Sequence, residues 1–221
     1  PAESAVDAPT MREILSGFAV ALRNHKIWLA AGGGAIAAAP IFIFGSLWGV
    51  PYLMQVHGLE RTVAASLTAT ILAGWGFGAF LSGWMSDRIG VRRKPLVFGL
   101  VVALISLTTV IYGPKLPVLA LGGLLLVAGL GSGVVVLSYA MAGDLSIAAT
   151  RGSAYAFANM LMILSGAIFQ PVAGWLLDLN WYGSTSNGAR IYDAAAYETT
   201  FLMVPVTYVT SLVMILLSRY D

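Results

Sequence analysis

Six long apolar stretches dominate this sequence and leave few folds open to it. They cover residues 27–56, 62–85, 95–112, 116–143, 152–177 and 199–218. None contains an Asp, Glu, Lys or Arg in its interior, and the charged residues fall between them. A helix needs roughly 20 apolar residues to cross the hydrocarbon core of a bilayer, and burying an ion there is costly. We therefore predict an all-α, multi-pass membrane protein with six transmembrane helices.

The composition agrees and excludes several classes of function. Of the 221 residues, 58% are hydrophobic and 10% are charged, whereas a soluble domain has roughly 25% charged residues. The net charge of +2 gives no electrostatic support for nucleic-acid binding. The chain has no cysteine, and its two histidines, His25 and His57, are too few and too far apart for a histidine metal site. We expect neither a metal nor another cofactor.

The basic residues between the stretches predict the orientation. If six helices alternate, nine basic residues lie on one side: Arg12, Arg23, Lys26, Arg88, Arg92, Arg93, Lys94, Arg151 and Arg219. The other side has three: Arg61, Lys115 and Arg190. The positive-inside rule then places both ends of the chain in the cytoplasm.

Two segments outside the apolar stretches have their own character. Residues 1–9 resemble a linker, and Thr10 with Glu13 has the spacing of a capping box. Apolar residues then recur at helical spacing: Met11, Ile14, Phe18 and Leu22. This indicates an amphipathic helix at the membrane surface, or else a simple tether, in residues 1–26, with the transmembrane part in residues 27–221. The longest loop, residues 178–198, either covers the outer mouth or is a plain connection.

The loop between the second and third stretches contains the sharpest motif. Its marked residues are Gly83, Asp87, Arg88, Gly90, Arg92 and Arg93. Gly90 suits a sharp reversal of the chain, and the basic cluster suits a cytoplasmic loop. Asp87 is an acidic residue among basic ones. Three explanations are open: it pairs with Arg88 or Arg92, it faces the N-terminus of a neighbouring helix, or it is there by chance.

This run resembles the Gly-x-x-x-Asp-Arg-x-Gly-Arg-Arg-Lys loop signature of the major facilitator superfamily, with Val91 inserted before the basic cluster. The resemblance implies the C-terminal half of a twelve-helix transporter, built as two inverted three-helix repeats and paired with an N-terminal six-helix half of the same protein. It also implies that the six marked residues form a cytoplasmic gate. Asp144 and the run from Arg151 resemble the family's approach to helix eleven, which implies a second cytoplasmic gate.

Glycines recur within two of the predicted helices. They are Gly74, Gly76 and Gly78 in the second and Gly129, Gly131 and Gly133 in the fourth. Small residues four apart let membrane helices approach closely. Two interpretations are open: a contact that slides during transport, and simple packing.

The resemblance implies that the first helix of each repeat lines the substrate cavity, so the site is uncharged here. Our candidates are Ser46, Trp48, Tyr52, Gln55, Ser138, Tyr139 and Asn159. Trp75, Tyr155 and Gln170 are further polar or aromatic residues on neighbouring helices. For Trp48, Tyr52 and Gln55, an aromatic belt at the outer membrane surface is an equal alternative. For Asn159, a hydrogen bond that merely fastens two helices is another.

We expect a secondary active or facilitative transporter of a small solute that works by alternating access, as a symporter or antiporter, in a bacterial inner membrane. Proton coupling is open, because no membrane-embedded carboxylate is present. A non-transporting scaffold or receptor of carrier ancestry is the alternative. An intramembrane serine protease is a remote third: Gly131, Ser132 and Gly133 invite it, but neither histidine lies mid-membrane to activate the serine.

Overall fold

The computed structural model describes residues 10–186 and 188–218, and nearly all of them are helical. The proposed linker and Arg219 lie outside the described residues. Six helical spans are long and apolar enough to cross a membrane: His25–His57, Arg61–Ile89, Arg93–Tyr112, Val118–Asp144, Ala148–Leu179 and Ala194–Leu217. They are called the first to the sixth span below. The prediction of six transmembrane helices is confirmed by their length and composition.

Several spans are not uniform α-helices. The first contains a π-helix, Ile41–Trp48, between α-helical parts His25–Pro40 and Gly49–His57. The fourth has a 3-10 turn, Gly133–Val135, between Val118–Ser132 and Val136–Asp144. The fifth opens with the 3-10 turn Ala148–Thr150 before Arg151–Leu179. The sixth consists of Ala194–Phe201 and Met203–Leu217. A short antiparallel ribbon, Thr185–Ser186 with Ala189–Arg190, lies between the fifth and sixth spans.

The π-helix lies between two prolines, Pro40 at its N-cap and Pro51 three residues after its end, and neither has a backbone N–H to donate. At its end, the N–H of Gly49 donates to the carbonyl of Phe44, five residues earlier. Such widened turns are rare and recur at functional sites. The first span is thus irregular near its middle.

Glycines end the first two spans. Gly58 and Gly90 adopt left-handed backbone angles, with φ of 67° and 71°. Residues that have a Cβ rarely adopt such angles. Gly90 therefore reverses the chain before the third span, as the motif predicted. The first and sixth spans begin with caps, in which Asn24 accepts from the N–H of Lys26 and Asp193 from that of Ala196.

The fourth span packs against the second and third, while the first packs against the fifth and sixth. Contacts between the first and fourth and between the third and sixth spans join the two groups. One end of the bundle carries Arg88, Arg92, Arg93 and Lys94, and is called the basic end below. The spans alternate in direction between this end and the opposite one.

Glycines make the contact between the second and fourth spans, called the glycine seam below. A Cβ on Gly74 would lie 2.5 Å from the carbonyl oxygen of Leu126, and one on Gly129 would overlap the carbonyl of Ile71. Gly78 and Gly133 are equally crowded by backbone atoms. These four glycines therefore serve close helix packing. Gly76, in contrast, has no neighbour within 4 Å at its Cβ position.

Aromatic side chains fill the core at the opposite end. The ring of Tyr52 lies 5.3–5.6 Å from the rings of Phe44, Tyr197 and Phe201. Its hydroxyl donates to the carbonyl oxygens of Val110 and Ile111, each 3.1 Å away. This cluster ties the first, third and sixth spans together.

A helix, Met11–Arg23, precedes the first span. Phe18 packs edge-on against Phe157 of the fifth span, and Ala21 is buried. Met11 and Leu22, which the sequence placed on the same apolar face, are 70% and 46% exposed. The predicted face is therefore divided between a contact with the bundle and an exposed surface, and its position at a membrane surface stays a prediction.

Candidate functional site

A cavity of about 430 Å³ lies between the second, fourth and fifth spans. Its lining residues are Trp75, Ala79, Gly133, Val135, Val136, Tyr139, Tyr155, Asn159 and Met162. The volume falls within the roughly 300–1,000 Å³ typical of small-molecule sites. Cavity and glycine seam adjoin, because Gly133 belongs to both.

The polar groups of the cavity are few. The hydroxyl of Tyr139 lies 3.2 Å from Oδ1 of Asn159 and 3.0 Å from Sδ of Met162. The indole N–H of Trp75 is buried and has no hydrogen-bond partner among the described residues. Because this nitrogen is buried, it does not face the open space of the cavity. The side chains of Tyr139 and Asn159 therefore provide polar groups that a solute can reach.

The lining of the cavity is aromatic and uncharged. Trp75, Tyr139 and Tyr155 offer apolar ring faces, and the two tyrosines each add a hydroxyl group. The described lining includes no Asp, Glu, Lys or Arg. Such a site suits a neutral or amphipathic solute. Trp75 and Tyr155 were singled out from the sequence, whereas Ala79, Val136 and Met162 carried no recognisable signal.

The other predicted cavity residues do not line this cavity. Tyr52 and Ser138 are buried in helix contacts, since Tyr52 caps the third span and Ser138 packs against Gly34 and bonds to the carbonyl of Val135. Ser46 and Gln55 are exposed on the first span. Only Tyr139 and Asn159 of the seven candidates are brought together here.

Trp48 lies instead between the first and fifth spans, in what is called the aromatic seam below. Its indole N–H donates to the carbonyl of Gln170 at 3.3 Å, and the side-chain amide of Gln170 donates to the carbonyl of Phe42 at 3.0 Å. The rings of Phe42 and Trp48 cover Gly166 and Gly174 of the fifth span. The carbonyl of Phe42 lies in the π-helix, and the carbonyl of Gln170 lies beside Pro171. Each thus accepts a hydrogen bond from a side chain on the other span.

At the basic end, Arg92 connects two acidic residues. Its Nε lies 2.6 Å from Oδ2 of Asp144, and its Nη1 lies 3.5 Å from Oδ1 of Asp87. The side chains of Arg92 and Asp144 are about one-third exposed, whereas Asp87 is 75% exposed. The loop after the second span is thereby joined to the end of the fourth, and the two predicted gates share one cluster.

The remaining motif residues have separate contacts. Arg88 stacks over the ring of Trp84 at 4.5 Å. Arg93 donates from Nη2 to the carbonyl of Leu216, at the end of the sixth span. Gly83 has open space at its Cβ position, and Arg151 is exposed where the α-helical part of the fifth span begins.

At the opposite end, the loop between the fifth and sixth spans folds around Asp178. Its Oδ1 lies 2.6 Å from both Nη1 of Arg190 and the hydroxyl of Tyr192. Burial, followed by the bond to Asp178, raises the pKa of Tyr192, and Asp178 raises the pKa of Arg190. The ring of Tyr192 also meets that of Trp48. The described part of this loop therefore contacts the aromatic seam through Tyr192.

The serine of the protease alternative is in a helix contact. Ser132 is fully buried, and its Oγ lies 2.7 Å from the hydroxyl of Tyr208. A tyrosine hydroxyl is not a general base at neutral pH. The geometry at Ser132 thus offers no activated nucleophile.

The family assignment rests on a match to a family model. The model of the Major Facilitator Superfamily matches residues 23–221. The chain belongs to this superfamily. No curated protein matches the sequence significantly.

Two solved superfamily transporters share the fold. One is a bacterial homologue of the human lysosomal transporter Spinster, inward-facing and unoccupied, with a TM-score of 0.73 and 17% identity. The alignment covers the whole of this chain and 54% of that transporter. The other is the xylose transporter XylE from E. coli, inward open, with a TM-score of 0.64 and 19% identity over 87% of this chain and 46% of XylE. The chain thus spans about half of each, as expected for half of the superfamily fold, and the identities support the fold alone.

Proposed function

We propose that this chain is the C-terminal half of a secondary active or facilitative transporter, which moves a small neutral or amphipathic solute by alternating access. The cavity of Trp75, Tyr139, Tyr155 and Asn159 is its contribution to the solute site. The observation that carries this proposal is an uncharged, aromatic-lined cavity in which the hydroxyl of Tyr139 lies beside the side-chain amide of Asn159.

The position of the cavity supports this role. The second and fifth spans form two of its walls and are the least buried of the six. Only 33% and 28% of the residues in their apolar stretches are buried against the rest of the chain. Their uncovered sides fit an N-terminal six-helix half of the same protein, which closes the cavity from the other side. Two halves that rock about a central site are the general arrangement of such carriers.

The Arg92 cluster is the proposed cytoplasmic gate. Asp87, weakly held by Arg92 and well exposed, is placed to change partner, while Asp144 holds Arg92 at hydrogen-bonding distance. The motif residues Gly83, Arg88, Gly90 and Arg93 shape this loop, and Arg151 provides a further positive charge at the start of the fifth span. The proposal includes both ends of the chain in the cytoplasm and a bacterial inner membrane.

A ligand screen on the full-length protein tests the proposed site. Ligands that bind the folded state raise its stability by mass action. We expect a neutral or amphipathic solute to raise the melting temperature in detergent and to be taken up by proteoliposomes. Asn159→Ala and Tyr155→Phe should each weaken solute binding about tenfold, since each removes one hydrogen-bonding group from the cavity wall. Weaker binding appears as a smaller rise in melting temperature and as slower uptake at low solute concentration.

Gln55→Ala is the matched control, because Gln55 is exposed on the first span and should leave both effects unchanged. Uptake that survives both cavity substitutions would place the solute elsewhere. Binding without any flux would favour the non-transporting scaffold or receptor. Repeating the uptake at two pH values tests whether protons are coupled.

A further inference from the structure

A second apolar hollow lies outside the solute site, at the basic end. It is a groove of about 710 Å³ between the beginning of the third span and the end of the sixth. Its lining residues are Val91, Arg93, Lys94, Val97, Phe98, Val101 and Leu216. The groove therefore has a cationic rim and an apolar body.

The residues of the third span occupy one face of the helix. Lys94, Val97, Phe98 and Val101 are spaced three, four and seven residues apart, which aligns them along a helix. At 1.5 Å per residue, the face extends roughly 10 Å from the charged rim into the apolar region. Phe98 is 69% and Val101 37% exposed, so the groove is open on its outer side.

The rim is positively charged, and the described lining includes no acidic residue. Arg93 donates to the carbonyl of Leu216 at 2.8 Å, which fixes its guanidinium across the top of the groove, and Lys94 is exposed beside it. Arginine and lysine are the side chains that bind phosphate. A basic pocket between transmembrane helices, at the headgroup level, is a site for acidic lipid headgroups.

We propose that this groove binds one anionic phospholipid, with its phosphate at Arg93 and Lys94 and an acyl chain along Val97, Phe98 and Val101. A hollow on the second span provides the contrast. It is lined only by Leu72, Ala73, Gly76, Phe77 and Phe80 and measures about 320 Å³. Ordinary acyl chains cover such a surface without selecting a headgroup, whereas a charged rim selects an anionic one.

Native mass spectrometry of the full-length protein in mild detergent tests the site. The protein is incubated with equal amounts of phosphatidylglycerol and phosphatidylcholine that have identical acyl chains. We expect one phosphatidylglycerol to be retained in preference. Lys94→Gln should weaken this retention about fivefold, as expected for one cation near an anionic lipid, and Val101→Trp should abolish it by filling the groove.

Each variant has a matched control on or beside the same span. Lys115→Gln removes an equal charge at the opposite end, and Ile105→Trp places the same large side chain on an exposed residue outside the groove. Both should retain the lipid as the unchanged protein does, and melting curves verify that all four variants fold. Equal retention of both lipids, or losses no greater than in the controls, would overturn the proposal. Detection of a second protein copy in place of the lipid, lost in Val101→Trp, would also overturn the proposal.

Discussion

The glycine seam and the aromatic seam join helices in different ways. In the glycine seam, backbone meets backbone, and a Cβ on Gly129 would overlap the carbonyl of Ile71. In the aromatic seam, the rings of Phe42 and Trp48 lie over Gly166 and Gly174, so side chains meet backbone. The backbone contact permits a single helix spacing, while rings can turn about their side-chain bonds. We infer that the second and fourth spans move as one body, and that the first and fifth adjust against each other.

The aromatic seam has further features of an adjustable contact. The π-helix Ile41–Trp48 lies in the first span, and Pro171 interrupts the hydrogen-bond ladder of the fifth. Trp48 and Gln170 supply donors to carbonyls across the seam. Side-chain donors can exchange partners without unfolding either helix. Interrupted helices of this kind line the sites of transporters in general.

Gly129→Ala should have the largest effect on stability. The added methyl group has no side chain to displace, so the second and fourth spans must separate. Overpacking costs typically 1–3 kcal/mol, and we expect about 3 kcal/mol here. A strongly lowered melting temperature of the full-length protein in detergent is the readout. A melting temperature like that of the unchanged protein would mean that the glycine seam is not rigid.

Gln170→Leu should have an intermediate effect. The substitution keeps the size of the side chain but removes the donor to the carbonyl of Phe42. A lost hydrogen bond of this kind costs about 1 kcal/mol. Gln170→Met tests the donor separately, because a thioether side chain of the same length cannot donate, and it should be about as destabilising. If both variants melt like the unchanged protein, the aromatic seam does not depend on this bond.

Gly166→Ala makes the sharpest comparison with Gly129→Ala, because the same methyl group is added in the other seam. Its Cβ would lie 3.1–3.3 Å from carbons of the Phe42 ring. The ring has to give by only a few tenths of an ångström, so we expect a loss below about 1 kcal/mol. Melting curves of the two alanine variants, recorded together, measure the difference. Equal losses would remove the distinction between the seams.

Gly76→Ala should have the smallest effect, or the opposite sign. Its Cβ position is open, although it lies between two glycines of the seam. Alanine in a helix interior is favoured over glycine by roughly 0.5–1 kcal/mol, so the melting temperature should stay or rise slightly. A marked fall would show that the exposed side of the second span is covered by something that needs a glycine there.

The sequence predicted the spans well and the site only in part. Hydrophobic length places the six helices because hydrocarbon excludes charge, yet it gave no sign of the π-helix, which depends on hydrogen bonds in one turn. Arg92 was one of several partners that the sequence left open for Asp87, but its shorter bond to Asp144 joins residues far apart in the chain. Tyr52, one of the candidates for the cavity, lies in the buried aromatic core. Sequence alone does not distinguish the two positions, because an aromatic residue in a membrane helix has the same pattern in the core and at a site.

The proposed function requires that the cavity beside Tyr139 and Asn159 opens to each side of the membrane in turn. This chain has no cysteine, so Val136→Cys in the cavity wall provides a single thiol within it. Leu137→Cys is the control, since Leu137 is 2% exposed while Val136 is 37% exposed. With membrane-impermeant maleimides on oriented vesicles of the full-length protein, we expect Val136→Cys to be labelled from both sides and Leu137→Cys from neither. Labelling of Val136→Cys from one side only, under all conditions and with all solutes, would contradict it.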